Sequence, residues 1–296
     1  MSVSRFETPS PINVTLDLYV ADVHMVASDR ADTVIEVKPS DPGKPADVKA
    51  AENTRVEFDE VTGALSVIMR KPRSRFVNFS KRPESVDLVV QLPSGSAVRG
   101  QASMGDYEAD GLLGVVSLKT DFGAVRLEQS AELTVRTGLG QVTVDRVGGP
   151  TEVHSASGDM HIGTVDGTAE ISTSSGTIRV GTVSGAARLK VSNGALYVER
   201  ALSDITASTS NGEVRLGEVV RGKVSATSKN GRVEVGVRTG SAAWLELNTA
   251  AGRVYNELAA AEAPEDGDPA DKVEVRASTK LGDVVVRRTT RLEEDA

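Results

Sequence analysis

Apolar and polar residues alternate in short runs along most of the chain, and many of these runs follow a glycine. Residues 158–162, 176–180 and 194–198 read Gly-Asp-Met-His-Ile, Gly-Thr-Ile-Arg-Val and Gly-Ala-Leu-Tyr-Val. Apolar positions two residues apart are typical of β-strands, because successive side chains point to opposite faces. The spacing of a helix is not followed, and the glycines would weaken a helix interior. The pattern therefore predicts a series of short β-strands.

The glycines that open these runs recur at an interval of about 18 residues. They are Gly105, Gly123, Gly140, Gly158, Gly176, Gly194, Gly212, Gly231 and Gly252, with separations of 18, 17, 18, 18, 18, 18, 19 and 21 residues. Such an interval is the signature of a repeat architecture. In β-hairpins the register of each strand pair is set separately by its own turn. Here the length of the whole repeat, about 18 residues, is preserved instead. We therefore predict an all-β fold, a single parallel β-solenoid that is right-handed by the bias of parallel crossovers.

Equivalent positions of successive rungs are expected to lie over one another, about 4.8 Å apart. Ile162, Val180, Val198 and Leu216 should then form an interior column. A second column, the hydroxyl ladder, should run beside the corner. It consists of Thr120, Thr137, Ser155, Thr173, Thr209 and Thr249. We interpret this ladder as structural.

The regularity of the repeat changes along the chain and predicts four regions. Residues 1–100 are interpreted as irregular first rungs and a cap, continuous with the solenoid; a separate β-sandwich over residues 1–95 is the alternative. Residues 101–256 should form the regular solenoid. Residues 257–272, rich in acidic residues, Ala and Pro, should form a loop insertion. Residues 273–296 should form the final rung and a charged tail.

Several segments together resemble a known bacterial family. They are FETPSPINVTLDLYVADVHMVASDRADTVIEVKP near the start, VDLVVQLPSGS, the serial glycine-led rungs, GRVYNEL, and VEVRASTKLGDVVVRR near the end. This combination is similar to an actinobacterial-type family of putative adhesins, also described as β-strand-repeat proteins of unknown function. The resemblance covers almost the entire chain. It implies a β-solenoid with an adhesin-like role and no established catalytic residues.

Composition and charge narrow the range of partners. Aromatic residues make up only 3% of the 296 residues, so the core must consist of small aliphatics. The net charge of -8 disfavours nucleic acid as a partner, because phosphate binding needs a basic surface. The absence of cysteine excludes disulfides and thiolate chemistry. The start shows no signal-peptide pattern, and no apolar run could span a bilayer. We therefore expect a cytoplasmic protein without membrane insertion.

Motifs that carry chemistry are not found in the sequence. His24, His154 and His161 have no zinc-motif spacing, and no phosphate-binding loop, complete dinucleotide fingerprint or nucleophile elbow occurs. We therefore predict that the protein is not an enzyme and has no catalytic residues, metal or cofactor. A carbohydrate-active β-helix enzyme is the least favoured alternative, because the short rungs lack the long loops that wall a cleft.

The outward column three residues after each opening glycine is the candidate binding surface. It consists of Glu108, Arg126, Thr143, His161, Arg179, Tyr197, Arg215, Glu234 and Tyr255. Its basic and aromatic members form the predicted docking strip: Arg126, His161, Arg179, Tyr197 and Arg215. Stacked cations would repel unless they are flanked by acids or engaged by a ligand. The acids expected to flank the docking strip are Asp159, Glu199 and Glu213. A mixed solvated face is the alternative.

These patterns favour a non-catalytic binding or scaffold protein that offers a rigid surface. Its partner would be a protein with an acidic segment or an anionic polymer, and the chain would be a monomer or a weak homo-oligomer. A self-assembling structural protein, with solenoids stacked end to end as in bactofilins, is the alternative.

Overall fold

The computed structural model describes residues 2–69, 84–258 and 272–289. These residues form 25 β-strands and one α-helix, and the chain divides into two compact units, Met1–Gly148 and Gly149–Ala296. The fold is the all-β parallel solenoid that the pattern predicts; its predicted hand stays a prediction. The two units divide at Gly148. The four regions predicted from the regularity of the repeat stay a prediction. Most of the acidic insertion predicted at 257–272, and the predicted charged tail, lie outside the described residues.

The first unit contains eleven of the strands and the helix. They are β1 (Ser2–Glu7), β2 (Asn13–Asp17), β3 (Ala21–Ser28), β4 (Asp32–Pro39), α1 (Pro45–Asn53), β5 (Arg55–Asp59), β6 (Ala64–Ile68), β7 (Val86–Pro93), β8 (Ala97–Met104), β9 (Tyr107–Phe122), β10 (Val125–Leu139) and β11 (Val142–Val147). Strands β8, β9, β10 and β11 pair in parallel, one after another. The regular repeat therefore begins within this unit.

The start of the first unit mixes parallel and antiparallel pairing. Antiparallel pairs join β1 to β4, β4 to β7 and β5 to β6. Strand β2 pairs in parallel with β8, and β3 pairs in parallel with β9, so these early strands share the ladder of the regular rungs. No helix in the described part of the chain has the length and apolar character needed to cross a bilayer.

Tyr107 is the largest fully buried side chain among the described residues, with 1% of its surface exposed. Its ring fits beside Gly100, where an added Cβ would lie 3.0 Å from Cε1 of the tyrosine. The hydroxyl has no hydrogen-bond partner among the described residues. Burial, together with the charge of Asp17, raises the pKa of Tyr107. The ring therefore stabilises the core, while its hydroxyl is a buried polar group without compensation.

We expect Tyr107→Phe to leave the free energy of unfolding unchanged or to raise it by up to about 1 kcal/mol, because the substitution removes an unpaired buried hydroxyl. Tyr107→Leu is the matched control. It should lower the free energy of unfolding by about 2–4 kcal/mol through the space it leaves. Urea denaturation followed by circular dichroism measures both values. A clear loss of stability in Tyr107→Phe would show that the hydroxyl makes a stabilising bond.

The second unit contains the remaining strands. They are β12 (Thr151–Ser157), β13 (Met160–Val165), β14 (Ala169–Ser175), β15 (Ile178–Val183), β16 (Ala187–Asn193), β17 (Leu196–Ala201), β18 (Ile205–Asn211), β19 (Val214–Val219), β20 (Gly222–Asn230), β21 (Val233–Arg238), β22 (Ala242–Ala251), β23 (Val254–Asn256), β24 (Lys272–Leu281) and β25 (Val284–Thr289). From β12 to β19, each strand pairs in parallel with the strand two places further along the chain. Each rung therefore contributes one strand to each of two ladders.

The interior column predicted from the sequence is confirmed. Ile162 pairs with Val180, Val180 with Val198, and Val198 with Leu216. These four side chains are 0%, 1%, 3% and 1% exposed, respectively. Full burial of an aliphatic side chain contributes about 1.5–3 kcal/mol. The repeated aliphatic residue is thus what holds each rung on the next.

The corners of the rungs combine glycines with hydroxyl groups. The hydroxyl of Thr209 donates a hydrogen bond of 3.0 Å to the carbonyl oxygen of Gly194, one rung earlier. Ser228 makes the same bond, of 2.9 Å, to Gly212. Carbonyl groups that turn inward at the corner thus obtain a donor, as buried polar groups require. These bonds support a structural role for the hydroxyl ladder.

The order of the last rungs in space differs from their order along the chain. Strand β24 lies between β20 and β22, and β25 lies between β21 and β23. The last described segment, predicted as the final rung, is therefore inserted one place earlier in the stack. Both segments carry the same inward aliphatic pattern, so either could pair with β20 and β21. The rung of β22 and β23 forms the end of the stack instead.

Candidate functional site

The docking strip is divided between the two units. Arg126 belongs to the first unit, where it lies on β10 between Glu108 on β9 and Thr143 on β11. The Nε atom of Arg126 lies 3.9 Å from a carboxylate oxygen of Glu108, and both side chains are largely exposed. An exposed ion pair of this length contributes little to stability.

The other four residues of the docking strip form one column in the second unit. His161, Arg179, Tyr197 and Arg215 occupy equivalent positions of β13, β15, β17 and β19 and are register partners in that order. Parallel pairing places such neighbours on the same face, about 4.8 Å apart. The structure therefore brings these four side chains together as a continuous outward column.

Arg179 and Tyr197 interact directly. The guanidinium carbon of Arg179 lies 4.5 Å from the centroid of the Tyr197 ring. This cation–π contact contributes about 0.5–1 kcal/mol at an exposed site. The contact does not neutralise the charge of the guanidinium group, so Arg179 can still bind an anion.

Three arginines surround one carboxylate beside the end of this column. Glu234, the register partner of Arg215, lies 3.6 Å from Arg215, 3.5 Å from Arg232 and 3.0 Å from Arg287. One carboxylate cannot neutralise three guanidinium groups, so the cluster keeps an excess of positive charge. Sequence analysis missed Arg232 and Arg287 as members of this surface. The position of Arg287 depends on the insertion of β25 beside β21, which has no signal in the sequence.

Not all of the acids expected to flank the docking strip are paired with its cations. The carboxylate of Asp159 accepts a hydrogen bond of 2.7 Å from the backbone N–H of Thr177, at the corner of the next rung. Asp159 therefore serves the backbone rather than a cation. Glu199 is exposed, and Glu213 is partly exposed.

Small residues border the column along the same face. Gly163, Gly181 and Gly217 lie two positions after His161, Arg179 and Arg215, so they face outward beside them. The structure gives a reason for glycine here, because a Cβ on Gly181 would lie 2.4 Å from the carbonyl oxygen of Gly163. Glu199 occupies the equivalent position beside Tyr197 and is exposed. The surface is therefore low beside His161, Arg179 and Arg215 and carries a carboxylate beside Tyr197.

Another acidic residue is held by two arginines away from the column. Glu218 lies 2.9 Å from Arg200 and 2.8 Å from Arg238. Burial acts to raise the pKa of Glu218, but the hydrogen bonds and charges of Arg238 and Arg200 outweigh it and hold the pKa below its usual value. This triad spans the irregular pairing of β19 and β21 between Leu216 and Val219. We interpret it as a structural clamp.

The histidines outside the column are engaged with neighbours. His24 lies 3.1 Å from Asp110, and His154 contacts Ser172 at 2.7 Å and Glu152 at 3.0 Å. Within the described ranges, no group of three or more histidine and carboxylate side chains is placed to hold a metal ion.

Comparison with known proteins identifies the family. A family model described as Toastrack DUF4097 matches residues 13–287, and the chain therefore belongs to this family. No curated protein matches the sequence. The actinobacterial origin expected from the resemblance stays a prediction.

Several solved structures are similar to this chain. A putative adhesin from Parabacteroides merdae is 9% identical, with 97% of this chain and 95% of that chain covered and a TM-score of 0.41. A putative adhesin from Parabacteroides distasonis is 10% identical, with 97% and 96% covered and a TM-score of 0.41. A putative lipid binding protein from Parabacteroides distasonis is 10% identical, with 97% and 96% covered and a TM-score of 0.31. At these TM-scores the similarities assign no function to this chain.

Proposed function

We propose that this member of the Toastrack DUF4097 family is a non-catalytic, adhesin-like binding protein. Its ligand would be an anionic polymer or an acidic protein segment, and the docking strip of the second unit would be the binding surface. The observation that carries the proposal is the excess of guanidinium groups in and beside the outward column, above all the three that share Glu234. Cytoplasmic location and a platform that is not a filament belong to the same proposal.

The positive charge of the docking strip favours an anionic ligand, although the chain as a whole is acidic. The whole sequence carries a net charge of -8, which repels anions at long range. A basic surface on such a protein therefore selects for ligands that contact it closely. Each exposed arginine contributes at most about 1 kcal/mol to an ion pair. A polymer whose anionic groups repeat along its length can contact several rungs at once, and this multiplies the weak contacts.

The double variant Arg179→Glu with Arg215→Glu tests the proposal. We expect it to lose at least tenfold in affinity for poly-L-glutamate or a sulfated polysaccharide, while the melting temperature stays within a few degrees of the wild-type value. The reason is that both side chains are exposed. The wild-type affinity should also fall as salt is added, because salt screens exposed charges. Biolayer interferometry measures the affinities, and circular dichroism measures the melting temperatures.

The matched control is Arg188→Glu with Lys190→Glu, which makes the same change of charge at two exposed positions of β16. This variant should bind as the wild type does. Equal losses in the two double variants would reduce the effect to net charge and reject the docking strip. Wild-type protein that binds neither polyanion would reject the proposed ligand class.

A further inference from the structure

Among the described residues, no strand covers the interior of the stack beyond the rung of β22 and β23. Within the described ranges, β22 pairs only with β24, and β23 pairs only with β25. The consequence shows in one inward column of the second unit. Val233 and Val284 are 0% exposed, whereas Val254, the next residue of the column, is 44% exposed. Leu245 and Leu247 on β22 are likewise only partly buried.

Strand β22 lacks the features that usually protect an open edge. Natural edge strands are blunted by proline, lysine, bulges or short length. Strand β22 is ten residues long, AAWLELNTAA, with Glu246 as its one charged residue and an unbroken register against β24. Trp244, the single tryptophan of the chain, is 55% exposed on this strand. An edge of this kind is suited to pairing with another strand.

We propose that a second copy of this chain covers this end, with β22 of each copy paired antiparallel across a two-fold axis. The occupant must carry aliphatic side chains two residues apart to cover Leu245 and Leu247, and β22 itself has this pattern. An antiparallel partner related by a two-fold axis presents the same residues in reverse order, so the two inward faces meet. This inference does not rest on the docking strip.

The charge of Glu246 selects one register of this pairing. A two-fold axis at Glu246 would place the two Glu246 side chains opposite each other, and like charges opposite each other are unfavourable. An axis at Leu245 places Leu245 against Leu245 of the second copy, and Trp244 against Glu246 of the second copy. Arg276 on β24 already lies 3.2 Å from Glu246 and 5.9 Å from the Trp244 ring. The register at Leu245 therefore brings each Glu246 close to the Arg276 of the other copy.

The surface beside β22 fits the same register. A groove of about 670 Å³ runs along the start of the strand. Its lining includes Trp244, the cations Lys223, Lys272 and Arg276, and one carboxylate, Glu274, which lies 2.8 Å from Arg276. The cations outnumber the carboxylate three to one. In the register at Leu245, the incoming Glu246 lies over this groove. Positive side chains around the path of a carboxylate are the complementarity expected of a specific interface.

A two-fold contact of this kind joins the β22 end of one copy to the β22 end of the other. It leaves no β22 end free for a third copy. An isologous interface closes on itself, whereas a filament needs two different complementary surfaces. The proposal therefore expects a dimer as the largest species. It differs in this from the end-to-end filament considered as an alternative on sequence grounds.

Sedimentation equilibrium of residues 1–296, from low to high micromolar concentration, tests the dimer. We expect the wild type to approach twice the 31.1 kDa mass of the chain and no more. The emission of Trp244 should shift to shorter wavelength as the dimer forms, because its ring leaves solvent. Leu245→Lys should weaken the association at least tenfold by placing a cation at the axis. Val61→Lys, at a residue that is 95% exposed in the first unit, is the matched control and should dimerise like the wild type.

Circular dichroism identifies whether Leu245→Lys folds. If it does not, Trp244→Ala replaces it, since Trp244 is exposed and outward; this variant should also weaken the dimer. A wild type that stays monomeric at every concentration would overturn the proposal. So would a mass that keeps growing with concentration, or a dimer that both β22 variants leave unchanged. Retention of polyanion binding by Leu245→Lys would separate this result from the test of the docking strip.

Discussion

Replacing Gly194 by alanine is expected to lower the free energy of unfolding by more than about 3 kcal/mol. Gly194 has a φ of 144°, in the region where L-residues are strained. An added Cβ would also lie 2.0 Å from the carbonyl oxygen of Gly176 on the preceding rung. Relief of that clash requires the two rungs to separate. Separation would in turn weaken the bond from Thr209 to Gly194 and the parallel ladders on either side of the corner.

Gly240→Ala is the matched control for this prediction. Gly240 also has a positive φ, of 93°, but an added Cβ there would meet nothing within 4 Å. Only the backbone strain applies, so the expected loss is about 1–2 kcal/mol. Urea denaturation of both variants, followed by circular dichroism, gives the difference. Losses of equal size would mean that close stacking of the rungs is not what demands glycine at the corner.

The second large effect is expected from Val180→Asp, which should lower the free energy of unfolding by more than about 4 kcal/mol or prevent folding. Val180 is 1% exposed and lies between Ile162 and Val198 in the interior column. Aspartate at this position would bury a carboxyl group among aliphatic side chains without a partner. Its pKa would rise, and part of the cost would remain even in the neutral form.

The neighbouring residue provides the control for this substitution. Arg179→Asp introduces the same side chain one position earlier, on the exposed face of the same strand. It loses the contact with Tyr197, so the expected cost is about 1 kcal/mol or less. Thermal and urea denaturation compare the two variants. Tolerance of Val180→Asp, or an equal loss in Arg179→Asp, would contradict the assignment of inward and outward faces.

Much of the fold follows from the repeat. The 18-residue interval predicts parallel stacking, and the pairing of Ile162, Val180 and Val198 confirms it. The position of Thr209 one rung from Gly194 likewise agrees with the hydroxyl ladder. Each 18-residue repeat shows these features again, so a structure predicted for one repeat applies to the others.

The candidate site was predictable only in part. The column of His161, Arg179, Tyr197 and Arg215 follows from the register, which the repeat specifies. The contact partners within the surface do not. Arg179 stacks on Tyr197 rather than pairing with an acid, and Asp159 binds a backbone N–H. Rotamers and side-chain partners depend on neighbours in three dimensions, which a periodic pattern does not specify.

The sequence by itself determined the strand period, the aliphatic core and the parallel stacking. Alternating apolar and polar residues in a repeat of constant length leave few other ways to bury the apolar face. Only the tertiary structure decided that β24 and β25 enter the stack before β22 and β23. The reason is that both segments carry the same inward pattern, and their order depends on which fits better between its neighbours. That choice brings Arg287 to Glu234 and leaves Leu245 and Val254 at the open end.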